Sequence, residues 1–306
     1  MRKVIGIGET VLDIIFKNGQ PTAAVPGGSV FNSIISLARA GADVSFISEV
    51  GNDHVGDIII SFMKENGVSP RHLNVYSDGK SSISLAFLDE NHDAHYLFYK
   101  DYPNTRLDID FPPIAPNDIV LFGSYFALNP VLRSRMVEFL DYARENGAIL
   151  FYDLNFRANH KNEVVKLVPS IFDNFEYADI VRGSRDDFNI LYGLTDVDEI
   201  YRSKIEYYCP RFILTRGGDS VQLRTKSLQR EYPLEKVEVV STVGAGDNFN
   251  AGVVLGMLRA GLVREELDDM SEATWDRIIH TGLDFAAQAC TTLDNSVSRE
   301  WAQKQH

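Results

Sequence analysis

The sequence predicts an α/β fold, a mostly parallel sheet flanked by helices on both faces, with a small β-strand lid. Three observations predict it. Short apolar runs alternate with amphipathic segments along most of the chain, glycines stop several of the helical segments, and two extended stretches break the alternation with no helix behind them.

Residues 3–8 (KVIGIG) read as a buried strand, 29–40 as a helix stopped by Gly41, and 44–50 as the next strand. The segment 56–66 carries Ile58, Ile59, Phe62 and Met63 on one helical face and stops at Gly67. The rhythm resumes with a strand at 118–123, a helix at 130–146 ended by Gly147, and a strand at 148–153. A helix near 162–175, a strand at 178–183, a helix near 184–192 and a strand at 211–215 follow. Residues 10–26 and 81–104 are the two exceptions, the second reading as two strands around the polar turn Glu90-Asn91-His92-Asp93. Such an insertion serves as a lid or a subunit contact, or it decorates a sheet edge. No repeat or Pro-rich linker divides the chain, so residues 1–306 are expected to form a single domain, with lid segments at about 10–26 and 81–104.

Thirty basic against 43 acidic residues give a net charge of −13, which argues against nucleic acid or an anionic membrane as partner. It leaves room for an anionic small molecule held by oriented amides and one Arg. Cys209 and Cys290 are too few for a disulfide framework or a zinc site and read as small apolar residues of a reduced cytoplasmic protein. Gly6, Glu9 and Asp13 interrupt the N-terminal apolar run, and no stretch approaches the roughly 18 apolar residues of a membrane span.

Residues 239–261, VVSTVGAGDNFNAGVVLGMLRAG, are the most informative. A β-branched strand is expected to run into Gly244-Ala245-Gly246-Asp247 and then into a helix. Small residues at such a turn admit a ligand close to the backbone, and the first helical N–H groups form an anion site. A carboxylate there, Asp247, is placed to take a proton from a hydroxyl attacking a phosphoryl group, although on spacing alone it reads equally as a helix-start residue. Gly6-x-Gly8 lacks a third glycine, since Val11 stands in its place, and Gly79-Lys80-Ser81 has Asn74 where a P-loop needs Gly. Gly27, Gly28 and Asn32 open another helix; Asn32 offers a donor and an acceptor to sugar hydroxyls, and Asp13 offers a carboxylate. Local turn or cap roles for Asn32 and Asp13 stay equally open.

These segments together resemble the PfkB-family carbohydrate kinases and their ribokinase-like fold. Ser241 to Asp247 resembles the D-T-x-G-A-G-D signature, and Gly27-Gly28 with Asn32, Gly41 and Gly51 the N-terminal one. Gly51 to Gly56 matches G-x-D-x-x-G, Asp153-Leu154-Asn155-Phe156-Arg157 resembles D-x-N-x-R, and Thr215-Arg216-Gly217 resembles T-x-G. The matches run in order from residue 6 to about 293. The resemblance implies Asp247 as general base, with the amides of Gly244, Ala245 and Gly246 around the transferring phosphoryl group. It implies Asp13, Gly27, Gly28 and Asn32 on the sugar, and Thr215 and Gly217 on the nucleotide. Arg157 reads as a phosphate or carboxylate partner or as a surface residue.

The departures concern cations. Ser184 and Asp187 stand where the family has the Asn and Glu of N-x-x-E, which supports Mg²⁺ through water, so Asp187 is the water-mediated metal candidate and Ser184 its neighbour on the cofactor side. Ser241 replaces the commoner Asp and Asn295 a usual Gly, in a region that binds a monovalent cation in relatives, which puts K⁺ dependence in doubt. Phe31 reshapes the sugar pocket or packs in the core. The resemblance implies ATP and Mg²⁺, a small-molecule sugar, a homodimer formed through the β lid and a cytoplasmic enzyme. Fructose leads as acceptor; a 2-keto-3-deoxy sugar acid, with Arg157 or Lys100 holding its carboxylate, and ribose follow. The rival from another class is a sugar- or nucleotide-binding protein with impaired catalysis.

Overall fold

The computed structural model describes residues 2–88, 94–234, 239–292 and 294–305. The chain begins with β1 (Lys3–Ile7), β2 (Val11–Lys17) and β3 (Gln20–Gly27), followed by α1 (Ser29–Arg39), β4 (Asp43–Gly51) and α2 (His54–Glu65). Then come β5 (Leu73–Tyr76), β6 (Lys80–Leu88) and β7 (Ala94–Asp101). The second half runs β8 (Ile119–Gly123), α3 (Ser124–Leu128), α4 (Arg133–Glu145), β9 (Ile149–Asp153), α5 (Val164–Tyr177), β10 (Ile180–Ser184) and α6 (Arg185–Tyr192). It closes with α7 (Val197–Ile200), β11 (Phe212–Thr215), β12 (Ser220–Arg224), β13 (Gln229–Pro233), α8 (Ala245–Arg259), α9 (Glu272–Ala289) and α10 (Arg299–Gln303).

Nine strands form the main sheet in the order β13-β12-β11-β10-β9-β8-β1-β4-β5. From β5 to β11 every pairing is parallel, while β12 and β13 pair antiparallel at one edge. Strand order reverses between β1 and β8, and loops leaving the carboxyl ends of the strands near such a reversal form the ligand crevice of open α/β sheets. Helices α1, α2, α8 and α9 bury one face of the sheet, and α4, α5 and α6 the other. The central strands β1 and β9 are buried at nearly every position, as a parallel sheet covered on both sides requires.

The expected lid segments make one small sheet of order β3-β2-β6-β7. It is mixed: β2 pairs antiparallel with β3 through the left-handed Asn18-Gly19 turn, and β6 antiparallel with β7, but β2 and β6 run parallel. The expected turn over residues 90–93 lies outside the described residues. Phe87 stacks on Phe16 at 4.9 Å, while Leu97, Phe98 and Tyr99 are exposed.

One expected element is absent. Residues 239–243 form no strand: Val239 and Val240 are exposed, and the N–H groups of Val240 and Ser241 donate to the carbonyl of Cys290 at the end of α9. With no strand alongside among the described residues to complete a ladder, the β-branched run crosses as a loop. The structure adds β5, β12, β13, α7 and α9, which the alternation did not reveal. Phe31 is 1% exposed and lies against Phe46 and Phe62, so it packs in the core. Among the described residues no helix is long and apolar enough to cross a membrane.

Candidate active site

The start of α8 is built for close approach. Gly244 has φ +78°, and a Cβ there would lie 2.6 Å from the carbonyl oxygen of Asn295. Behind it, a Cβ on Gly246 would meet the guanidinium of Arg182 at 3.0 Å. Among the expected anion-binding amides, the N–H of Ala245 is committed to a turn bond with Thr242 O at 3.2 Å. Gly246 and Asp247, in the first turn, have N–H groups with no partner inside the helix.

Asp247 sits under the start of α1. Its Oδ1 accepts from Ser29 Oγ and its Oδ2 from Asn32 Nδ2, both at 2.8 Å, while its main-chain oxygen accepts from Ser33 Oγ at 2.7 Å. Burial pushes the carboxyl up to about 6, against the bond from Asn32 and the charge of Arg157, and the nearby charge of Asp153 adds to the rise. Asp13 projects from β2, with one oxygen bonded by Ser84 Oγ and the other by Asn295 Nδ2 at 3.1 Å. Burial raises it to about 6 as well, with Asp247 adding to the rise and Arg157 opposing it. The exposed Arg157 therefore stands where both carboxylates feel its charge.

Gly27 and Gly28 leave space for this arrangement. A Cβ on Gly27 would lie 2.4 Å from Asp13 Oδ2, and Gly28, at φ +134°, would drive one to 2.2 Å from the carbonyl of Glu9. Thus Asp13, Gly27, Gly28, Asn32, Asp247 and Arg157 come together from four separate stretches of chain.

A second cluster lies along the ends of β9, β10 and β11. Arg182, buried in β10, donates from Nη1 to Asp153 Oδ1 at 2.9 Å and from Nη2 to Thr215 Oγ1 at 2.6 Å. Asn250 of α8 donates to the other oxygen of Asp153 at 2.8 Å. Ser184 and Asp187 form a capping box on α6: Ser184 Oγ accepts from Asp187 N, and Asp187 Oδ2 accepts from Ser184 N. Asp187 Oδ1 accepts from Phe156 N at 2.8 Å, so this carboxylate holds the D-x-N-x-R loop. Gly217 lies apart in the exposed turn after β11, at φ +58°. No group of three or more His, Cys, Asp or Glu side chains suited to a metal ion occurs among the described residues.

The sequence reading passed over Ser84, Arg182 and Asn250, and treated Ser29 and Asn295 only as departures. Arg182 had a signal, a charge inside the otherwise apolar ADIVRG. The two hydroxyls had none, because serines are common at turns and helix starts. A groove of about 550 Å³ lies between β3 and α2, but neither Asp13 nor Asp247 lines it, so the chemistry of the residues identifies the site and cavity size does not. Lys100 on β7 is exposed, with its ammonium 5.0 Å from the Phe98 ring and 5.5 Å from the Tyr125 ring.

The fold is ribokinase-like. The chain belongs to the pfkB family of carbohydrate kinases, whose model matches residues 1–300. It is 24% identical over 265 residues to a probable fructokinase-4 of Arabidopsis thaliana, covering 80% of this chain and 79% of that one. It is 26% identical over 262 residues to an aminoimidazole riboside kinase of Salmonella typhimurium, covering 85% and 82%. A fructokinase from Vibrio cholerae, crystallised with fructose, ADP and potassium, superimposes with a TM-score of 0.84 at 21% identity over 98% of this chain and 95% of that one. That likeness shows the fold alone.

Proposed function

We propose that this sugar kinase transfers the γ-phosphoryl group of ATP to a primary hydroxyl of a free sugar, with D-fructose as first acceptor. The observation that carries this reading is Asp247: a buried carboxylate at the start of α8, oriented by Ser29 and Asn32, with a pKa near 6. A base so poised is mostly ionised at pH 7 and close enough to neutral to accept a proton. As the hydroxyl oxygen bonds the γ-phosphorus, its proton passes to Asp247, the bond to the bridging oxygen breaks, and ADP leaves. The N–H groups of Gly246 and Asp247 stabilise the charge on the phosphoryl oxygens, with Gly244 setting the turn and Ala245 completing it.

Asp13, Gly27, Gly28 and Asn32 hold the sugar, and Arg157 at the mouth pairs with phosphate. Thr215, Gly217, Ser184 and Asp187 belong to the nucleotide side. Mg²⁺, if bound, would neutralise phosphate charge on the nucleotide. Asp187, whose two oxygens accept from the backbone N–H groups of Phe156 and Ser184, would support the ion through water. The small sheet acts as a lid that excludes water, and the exposed Leu97 and Tyr99, which share one face of β7, support a homodimer. The enzyme is assigned to the cytoplasm. The second acceptor reading, a 2-keto-3-deoxy sugar acid, is favoured by the charge of Arg157 over both carboxylates.

Release of ADP from ATP·Mg²⁺ in the presence of D-fructose, 2-keto-3-deoxygluconate, D-ribose or a nucleoside tests the reading. Strong sugar-dependent release with fructose is expected; release that no sugar stimulates, with ATP binding intact, favours the impaired binding protein. The pH profile is a further prediction. Asp247 and Asp13, both near 6 and mutually coupled, take up protons as pH falls, so kcat/KM for the sugar should be flat above about pH 7 and fall below about pH 6. A profile still flat at about pH 5 would contradict the role of this pair.

A further inference from the structure

The loop after α9 brings Asn295 to the candidate sugar site. Its side chain is buried, at 2% exposure, and Nδ2 donates to Asp13 Oδ2 at 3.1 Å. The residue is anchored at its root, because its main-chain oxygen accepts from Asn248 Nδ2 at 2.9 Å and Gly244 packs against the same carbonyl. Across from it, Gly27 has no side chain, and a Cβ there would lie 2.9 Å from Asn295 Nδ2. Asn295 Oδ1 is left buried with no hydrogen-bond partner among the described residues. A buried carbonyl oxygen without a donor is uncommon enough to need a reason.

The geometry of the amide narrows that reason. Oδ1 and Nδ2 share one carbon, so one ligand can reach both Oδ1 and the Asp13 carboxylate that Nδ2 bonds. Each oxygen of Asp13 already takes one protein donor, from Ser84 or Asn295, and a carboxylate oxygen accepts more than one. Asn32 repeats the pattern beside Asp247: Nδ2 is bonded to the carboxylate and Oδ1 is a buried acceptor without a donor. The site therefore offers acceptors to a ligand rich in hydroxyl donors. We propose that Asn295 determines sugar specificity, its Oδ1 accepting from one hydroxyl while Asp13 accepts from the adjacent one, so that the two residues read a vicinal diol. This rests on the sugar-kinase reading of the same site and adds the hydroxyl pair that the acceptor must carry.

The test compares kcat and KM for D-fructose, 3-deoxy-D-fructose and 4-deoxy-D-fructose in the wild type and in Asn295→Gly, with D-ribose and its 2-deoxy and 3-deoxy forms as a parallel series. In the wild type each of two neighbouring deletions should lower kcat/KM roughly tenfold to a hundredfold. In Asn295→Gly the parent sugar should lose a comparable factor, chiefly through KM. The penalty for one deoxy analogue should then shrink to within about twofold, while the analogue missing the hydroxyl read by Asp13 keeps its penalty. These ratios are taken within one variant and do not depend on the fraction folded; Asn295→Ala replaces the glycine variant if that one is insoluble. Unchanged penalties in an active variant overturn the role of Asn295 alone. A wild type that turns over neither series overturns the fructose and ribose acceptor readings and this inference with them; if 2-keto-3-deoxygluconate and nucleosides also give no turnover, the kinase reading falls too.

Discussion

Asp247→Asn should lower kcat by roughly a hundredfold to ten-thousandfold while ATP binding stays within a few-fold of the wild type. The carboxamide matches the carboxylate in shape, so α8 and its N–H groups stay in place, but it cannot accept the hydroxyl proton. Its NH₂ group must also face either Ser29 or the NH₂ of Asn32, both of which donate to the carboxylate in the wild type. Stability separates this role from a structural one. Burial raises Asp247 above its ordinary value, so the folded state binds the proton more tightly than the unfolded chain does. The cost to stability therefore grows as pH rises from about 4 to about 6 and persists above it. Removing the charge relieves that cost, and the variant should melt at or above the wild-type temperature at pH 7.5 despite being nearly inactive. A large drop in melting temperature with substantial turnover would make Asp247 a cap and not a base.

Arg182→Met should cost stability, by about 3–5 kcal/mol, read from the denaturant midpoint at neutral pH. The Arg182–Asp153 pair is almost wholly buried, with side-chain exposures of 7% and 1%. Deleting the cation strands the Asp153 carboxylate, whose remaining partner is the neutral amide of Asn250. The same guanidinium fixes Thr215 and packs against Gly246, so kcat should also fall in the fraction that stays folded. Loss of less than about 1 kcal/mol would mean that water or a neighbouring group compensates Asp153, and that the cluster at the ends of β9, β10 and β11 is more open than its burial implies.

The parallel core was legible because its strands are short continuous apolar runs and several of its helices end on glycines such as Gly41, Gly67 and Gly147. The small sheet was legible too, since residues 10–26 and 81–104 show extended patterns with no helix after them. The β-branched run at 239–243 misled, because strand propensity reports a fit to a pleated surface and no neighbouring strand supplies one there. Helix α9 was missed although Trp275, Ile278, Ile279, Gly282, Phe285 and Ala289 mark a buried stripe, because polar residues dilute it and no glycine closes it. Glycines and carboxylates of the site could be named from spacing. What holds them could not: Ser84 lies 71 residues from Asp13 and Asn295 lies 282, and no local pattern records a contact made across the fold.

The central claim is that this chain moves a phosphoryl group from ATP to a sugar with Asp247 as base. Phosphorus NMR of ATP·Mg²⁺ and D-fructose with the enzyme tests it most directly, because it distinguishes transfer from hydrolysis. The account predicts a phosphomonoester resonance that grows as ATP is consumed, with none detectable over the same interval for Asp247→Asn. Inorganic phosphate as the sole new species, or equal ester formation by the variant, would contradict it.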